Sequence, residues 1–296
     1  MNWSDLNIAI IGGDRREQEI ARCAAATGAC VRAYGFPWPE SGIDRVQHTA
    51  DAATALKDAH FALFPIPGIA PDGALFAPSS PERIIPTVAM LSAMRKPGHI
   101  ILGWADENLK RCCDVLKIGI HEYEWDDTLM LLRSRAITEG MLKVIIENTD
   151  VTIHRAKICQ VGQGTIGSLV TQTLYALGAR VHVVARNPVQ RAQAYAAGAE
   201  SYEFAQIGDA MRECDILLSS VPAQVVTKEM LEKLPKHTLL VDLAAPPGGI
   251  DREAAKQLGL KFVWARGLGS RAPVTVGRSQ WSGISRRIEN LVEQRG

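Results

Sequence analysis

Three glycines stand at Gly162, Gly164 and Gly167, directly after the apolar run Ile158-Cys159-Gln160-Val161. An amphipathic run carrying Leu169, Val170, Thr173, Leu174 and Leu177 follows them. The chemistry this spacing serves is the binding of a pyrophosphate. The first glycine turns the chain tightly after a strand. The second lets the backbone approach the phosphates, and the third lets the helix pack on the sheet. The phosphates then accept from free N–H groups at the positive end of the helix, so Gly164, Thr165 and Ile166 are the expected contacts. A second strand follows at βαβ spacing and ends in Arg186-Asn187, with Arg191 one turn on. A carboxylate at this place bonds the ribose of NAD, whereas arginine pairs with a 2′-phosphate. Arg186, Asn187 and Arg191 therefore favour NADP. A merely solvated Arg186 would leave both cofactors open.

Other candidates lie at strand ends. Ser220-Val221-Pro222 closes an expected strand over 215–219, and Ala244 closes one over 238–243, where a cofactor's ribose or nicotinamide lies. Thr138 and Glu139 are expected to open an apolar helix over 136–148 and to be the catalytic pair, with Glu139 as acid/base. Glu139 equally fits an acid that only complements a helix dipole. Arg16, Arg271 and Thr275 are the candidates for holding a substrate, the last two in the loop before the final helix. His121 and His154 stand near strand ends and read as structural. Six cysteines show no CxxC and no ligand spacing with histidine, so reduced thiols and no metal are expected.

The elements that position these residues alternate. Strands are expected over 6–11, 29–34, 60–64, 99–102 and 117–120, with helices between them and a long Pro-rich loop over 65–82. That alternation implies a parallel sheet. The turn Gly12-Gly13-Asp14 lacks a third glycine and puts an acid where phosphate would sit, so it starts a helix without being a second dinucleotide site. The fold expected is α/β: two Rossmann-like, doubly wound parallel-sheet domains with a cleft between them. Residues 1–135 form a flavodoxin- or Rossmann-like substrate domain, 136–149 a bridging helix, and 150–270 the NADP-binding domain. The helix 276–294 returns to the first domain.

The 296 residues are 47% apolar and 22% charged, with a net charge of +1. That balance supplies no field for nucleic acid or membrane. No run approaches the ~18 apolar residues of a spanning helix. The first residues lack the basic and apolar regions of a signal peptide, so a cytoplasmic location is expected.

Beyond the fingerprint, several tracts carry a family resemblance: Ile8-Ala9-Ile10-Ile11-Gly12-Gly13-Asp14 with Arg16, Thr138-Glu139-Gly140, Thr149-Asp150-Val151-Thr152-Ile153-His154, Asp242-Leu243-Ala244-Ala245-Pro246-Pro247-Gly248-Gly249, and Gly267-Leu268 with Ala272-Pro273. In these the chain resembles the A subunits of bacterial dipicolinate synthase, from residue 6 to about 290. The tract Val274-Thr275-Val276-Gly277 lacks a lysine that the family often has after its Ala-Pro. The resemblance implies NADP-dependent oxidation of dihydrodipicolinate to dipicolinate in the mother cell during sporulation. It also implies that the partner is a flavoprotein-like B subunit and that the substrate is a small dicarboxylate. Such a reaction moves one hydride to the nicotinamide and one proton to a base or to water. Two other readings share the scaffold: an NADP-binding, non-catalytic or regulatory subunit, and a 2-hydroxy-acid or amino-acid dehydrogenase. Apolar edges on such a scaffold also suit a homodimer.

Overall fold

The computed structural model describes residues 2–294. Contacts divide the chain into two units. One runs to Arg133 and resumes at Ala272; the other is Ser134–Arg271.

In the first unit the order is β1 (Asn7–Ile11), α1 (Arg15–Ala26), β2 (Cys30–Tyr34), β3 (Val46–His48), α2 (Ala52–Leu56), β4 (Phe61–Leu63), α3 (Val88–Leu91), β5 (His99–Leu102), α4 (Glu107–Leu116) and β6 (Gly119–Glu122). The strands pair in parallel in the order β3-β2-β1-β4-β5-β6. Ile8, Ala9, Ile10 and Ile11 are all fully buried, as a strand covered on both faces requires.

A long helix, α5 (Asp127–Asn148), crosses from the first unit to the second. The second unit continues with β7 (Lys157–Val161), α6 (Thr165–Ala176), β8 (Arg180–Val184), α7 (Pro188–Ala196), β9 (Glu200–Tyr202), α8 (Ile207–Met211), β10 (Ile216–Ser219), α9 (Lys228–Leu231), β11 (Leu239–Asp242), α10 (Arg252–Gln257) and β12 (Lys261–Trp264). Its sheet order is β12-β11-β10-β7-β8-β9, again all parallel. Counted along each unit, both sheets follow the doubly wound order 3-2-1-4-5-6. The chain then returns to the first unit as α11 (Pro273–Glu293), which packs on α1. A Cβ at Gly277 would come 2.7 Å from the Arg16 carbonyl oxygen, so glycine permits the approach, and Arg278 Nε donates to Glu19 Oε1 at 2.7 Å. Among the described residues no helix is long and apolar enough to cross a membrane.

The α/β architecture and the returning helix are those expected; several boundaries differ. The short strands β3 and β9 have no signal in the sequence, because three residues make no visible period and gain their conformation only by pairing with β2 and β8. The helix expected over 136–148 begins at Asp127, nine residues earlier. Asp126 caps it, its carboxylate accepting from Leu129 N at 3.1 Å and its carbonyl from Met130 N at 2.9 Å. Thr138 and Glu139 therefore stand mid-helix, away from any positive helix end. The final helix likewise starts at Pro273, in the N1 position that proline favours. Thr275 lies inside its first turn and is no part of a loop.

At the start of α1 the molecule's own carboxyl groups accept from the free N–H groups. The Asp14 carboxylate accepts from Arg16 N at 2.9 Å and from Arg16 Nε and Nη2, both at 2.8 Å. Glu17 Oε2 accepts from Asp14 N at 2.7 Å, and Oε1 accepts from Ile66 N at 3.0 Å. Burial pushes the Glu17 carboxyl up from an ordinary value near 4.5 to about 7, against the pull of Arg16. The folded chain thus holds a proton that the unfolded chain releases. This stabilisation is complete below the unfolded value and fades as pH rises through about 7. The denaturation midpoint should therefore fall between about pH 5 and about pH 8, and Glu17→Gln should remove that part of the slope. A midpoint that rises over this range, unchanged in the variant, would mean that Glu17 is ionised in the fold.

Candidate dinucleotide-binding site

The second unit presents the fingerprint at the C-terminal end of β7, where the strand order reverses between β7 and β10. Each glycine there does something different. Gly162 has φ +96°, and its N–H donates to Val184 O at 2.9 Å. A Cβ on it would come 2.7 Å from Ser220 Oγ and 2.8 Å from Val221 Cγ2. Gly167 is buried where a Cβ would collide with the Gly162 carbonyl, so α6 lies directly on the turn. Gly164 is exposed, and a Cβ there would meet no protein atom within 4 Å. It is the N-cap of α6 and offers no side-chain cap, so the first N–H groups of the helix, at Thr165 and Ile166, are left without one. Open space before uncapped N–H groups at a 12-residue helix is what a pyrophosphate needs. These residues fit a dinucleotide.

The three residues expected at the 2′-position separate. Arg186 is exposed, its guanidinium 6.0 Å from the Phe204 ring centroid. Asn187 caps its own helix, Oδ1 accepting from Val189 N at 2.8 Å. Arg191 Nη1 donates to the carbonyls of Ala185 at 2.9 Å and Arg186 at 2.8 Å. Of the three, Arg186 presents its charge outward, while Asn187 and Arg191 shape the backbone beneath it.

Across the switch point, Ser220 Oγ lies within 3.5 Å of the carbonyls of Val161 and Gly162, and Val221 packs beside Gly162. Pro222 is exposed. Ala244 is buried and held at both ends, its N–H donating to Asp242 Oδ1 at 3.0 Å and its carbonyl accepting from Trp264 Nε1 at 3.0 Å. Asp242, which sequence reasoning did not single out, is the organiser here. Its buried carboxylate also accepts from the N–H groups of Gly249 at 2.7 Å and Ile250 at 3.1 Å, folding the tract 242–250 back on β11. Burial pushes the carboxyl up and the three N–H groups pull it down. The signal was present: an acid ending an apolar strand, followed by small residues and prolines.

Glu139 and Arg271, chosen separately, are brought together. Their side chains form an ion pair, each about half exposed, beside a depression of about 340 Å³ lined by Gly140, Lys143, Arg266 and Ser270. A pair so exposed contributes little to stability. Each charge has the other as partner before any substrate arrives. Thr138, one residue away, is buried and its hydroxyl has no hydrogen-bond partner. Arg16 and Thr275 lie in the first unit, Arg16 buried against Asp14 and Thr275 exposed. His121 Nε2 lies 3.0 Å from His99 Nδ1, and the His154 ring packs over Gly178.

Comparison with known proteins bears on the fold and on the family. Residues 7–124 match the N-terminal domain of the dipicolinate synthase A subunit, and residues 144–261 match shikimate / quinate 5-dehydrogenase. The chain is 26% identical over 294 residues to the dipicolinate synthase A subunit of Bacillus subtilis (strain 168), covering 98% of each. Among solved structures, the dipicolinate synthase A subunit from Bacillus halodurans superposes with a TM-score of 0.88 at 28% identity, covering 97% of this chain and 98% of that one. The corresponding structure from Bacillus subtilis gives 0.86 at 25%, covering 98% and 97%. The scaffold is that of a dehydrogenase, and a nicotinamide cofactor is what it implies.

Proposed function

From a chain similar along its whole length to the A subunit of dipicolinate synthase, and carrying the N-terminal domain of that family, we propose NADP-dependent oxidation of dihydrodipicolinate to dipicolinate. The observation that carries this reading is the continuity of that similarity across both units, joined to an open pyrophosphate cradle at Gly164. Bound NADP supplies the hydride acceptor. The chain holds its pyrophosphate on the N–H groups that open α6 and its 2′-phosphate on Arg186. The ring carbon gives up its hydride, and the adjacent carbon gives up a proton to a base or to water. Aromatisation drives the step, so a weak base suffices. In this reading the chain is the A subunit of a two-subunit enzyme of sporulation, working with a B subunit in the mother-cell cytoplasm. Arg271, half exposed beside the depression at Gly140 and Lys143, is its candidate for holding a substrate carboxylate.

One observation favours a second reading. Glu139, the proposed acid/base group, is tied to Arg271, and its helix begins far from it. A chain that binds NADP and positions its partner without doing the chemistry would tolerate that arrangement.

The deciding experiment gives the purified chain NADP and dihydrodipicolinate, with and without a B subunit. NADPH and dipicolinate should form in equal amounts. Formation only with the B subunit supports a shared active site. Cofactor binding without turnover in either condition supports the second reading and sinks the first.

A further inference from the structure

At the end of the second unit's sheet, the tract 242–250 locks onto the loop 219–226, and that loop leans on the glycine turn. Val161, Ser219 and Asp242 end the neighbouring strands β7, β10 and β11 in register. Beyond Asp242 the chain folds back, and Gly249 returns to the end of β10. A Cβ on Gly249 would collide with Ser219 Oγ and come 2.8 Å from the Val221 carbonyl oxygen. The Gly249 carbonyl accepts from Val225 N at 3.0 Å and from Val226 N at 2.9 Å. Val221 in turn stands over Gly162, where a Cβ would come 2.8 Å from Val221 Cγ2. Ser220 N donates to Val161 O at 3.0 Å. Contacts therefore run unbroken from the folded tract to the first glycine of the fingerprint.

One side chain holds the tract in its fold. Asp242, 1% exposed, meets three backbone donors: Ala244 N at Oδ1, and Gly249 N and Ile250 N at Oδ2. An ionised carboxylate accepts on both oxygens, so it suits three donors. An amide of the same shape turns an NH2 towards at least one of them. The return of Gly249 therefore depends on the charge of Asp242 as well as on its size.

The place of this loop decides which part of a cofactor it serves. Arg186, at the end of β8, marks the adenosine side of the turn. A dinucleotide crosses the crevice where the strand order reverses, so its other half falls over β10 and β11. We infer that Asp242 is a positioning residue for the nicotinamide half of the cofactor. Its carboxylate fixes Gly249, Gly249 sets the loop 219–226, and the loop holds Val221 beside the turn. This rests on the cofactor reading of the proposed function. Asp242 itself touches neither cofactor nor substrate in this role.

Calorimetric titration of the full chain tests it with two ligands. One is NADP; the other is adenosine 2′,5′-bisphosphate, which keeps the 2′-phosphate and lacks the nicotinamide half. Asp242→Asn should weaken NADP by about tenfold, the effect of one buried hydrogen bond, and bind the bisphosphate within about twofold of the wild type. Val221→Ala leaves the bonds of Asp242 in place and should also weaken NADP selectively. The double variant should lose no more than the stronger single one, because the two act along one path. Equal weakening of both ligands by Asp242→Asn would mean that the tract supports the turn as a whole, and the inference fails. It fails too if Asp242→Asn melts earlier yet binds both ligands normally, if Val221→Ala binds NADP as the wild type does, or if the two losses add. Should Asp242→Asn not fold, Val221→Ala still decides: selective loss of NADP supports the inference, and normal binding overturns it. A wild type that prefers NAD would overturn the 2′-phosphate assignment alone, and NAD with adenosine 5′-phosphate then makes the same comparison. A wild type that binds neither NADP nor NAD would remove the cofactor reading itself.

Discussion

Gly164→Val should bind NADP at least about a hundredfold more weakly, a loss of about 2.7 kcal/mol, while melting close to the wild-type temperature. The separation of binding from stability is the point. Gly164 has φ −78°, which any residue adopts, and a Cβ there meets no protein atom. The fold does not require this glycine. Exchanging Gly for Val at an N-cap costs on the order of 1 kcal/mol, because glycine is itself only a moderate cap. The added methyls instead fill the space before the N–H groups of Thr165 and Ile166, where phosphate oxygens must come within hydrogen-bond distance. The neighbouring glycines differ: Gly162 needs its positive φ, and Gly167 has no room above the Gly162 carbonyl. Equilibrium titration with NADP and a thermal melt of the same sample suffice. Wild-type affinity in the variant would refute the fingerprint as the cofactor site.

Arg186→Asp should raise the Kd for NADP by about a hundredfold and change the Kd for NAD little. Two effects add. The variant loses charge-assisted bonds to the 2′-phosphate, worth about 1.5–3 kcal/mol, and it places a carboxylate against a dianion. The same carboxylate can accept from the 2′-hydroxyl of NAD. Arg186 is exposed, with its guanidinium over Phe204, so the exchange disturbs no core packing. The difference between cofactors should shrink as salt is added, since exposed charges are screened within about 10 Å at 0.1 M. Equal losses for NADP and NAD would reject Arg186 as the selecting residue.

Much of this site is legible in the chain because its signals are local. The apolar strand β7, three glycines at fixed offsets and the amphipathic α6 lie within twenty residues. Each glycine answers a steric demand of its own neighbourhood. Arg186 is legible for the same reason, since it stands where β8 ends. The start of α5 is not. Arg133-Ser134-Arg135 interrupts the pattern between Leu129-Met130-Leu131-Leu132 and the apolar run from Ala136, so the two parts do not read as one helix. Misplacing that start gave Thr138 and Glu139 a helix end they do not have.

By itself the sequence determined two α/β units, a returning helix and a phosphate-binding turn, because periodicity, glycine spacing and strand ends act over a few residues. Tertiary structure alone decided what depends on distant partners. It set the strand order 3-2-1-4-5-6, since parallel strands pair only across long crossovers. It joined Glu139 to Arg271 across more than a hundred residues and closed the tract 242–250 on Asp242. It also left the Thr138 hydroxyl and Gln160 Oε1 buried without partners. Burial, which sets the cost of an unpaired polar group and the pull on a carboxyl, exists only after the chain has packed.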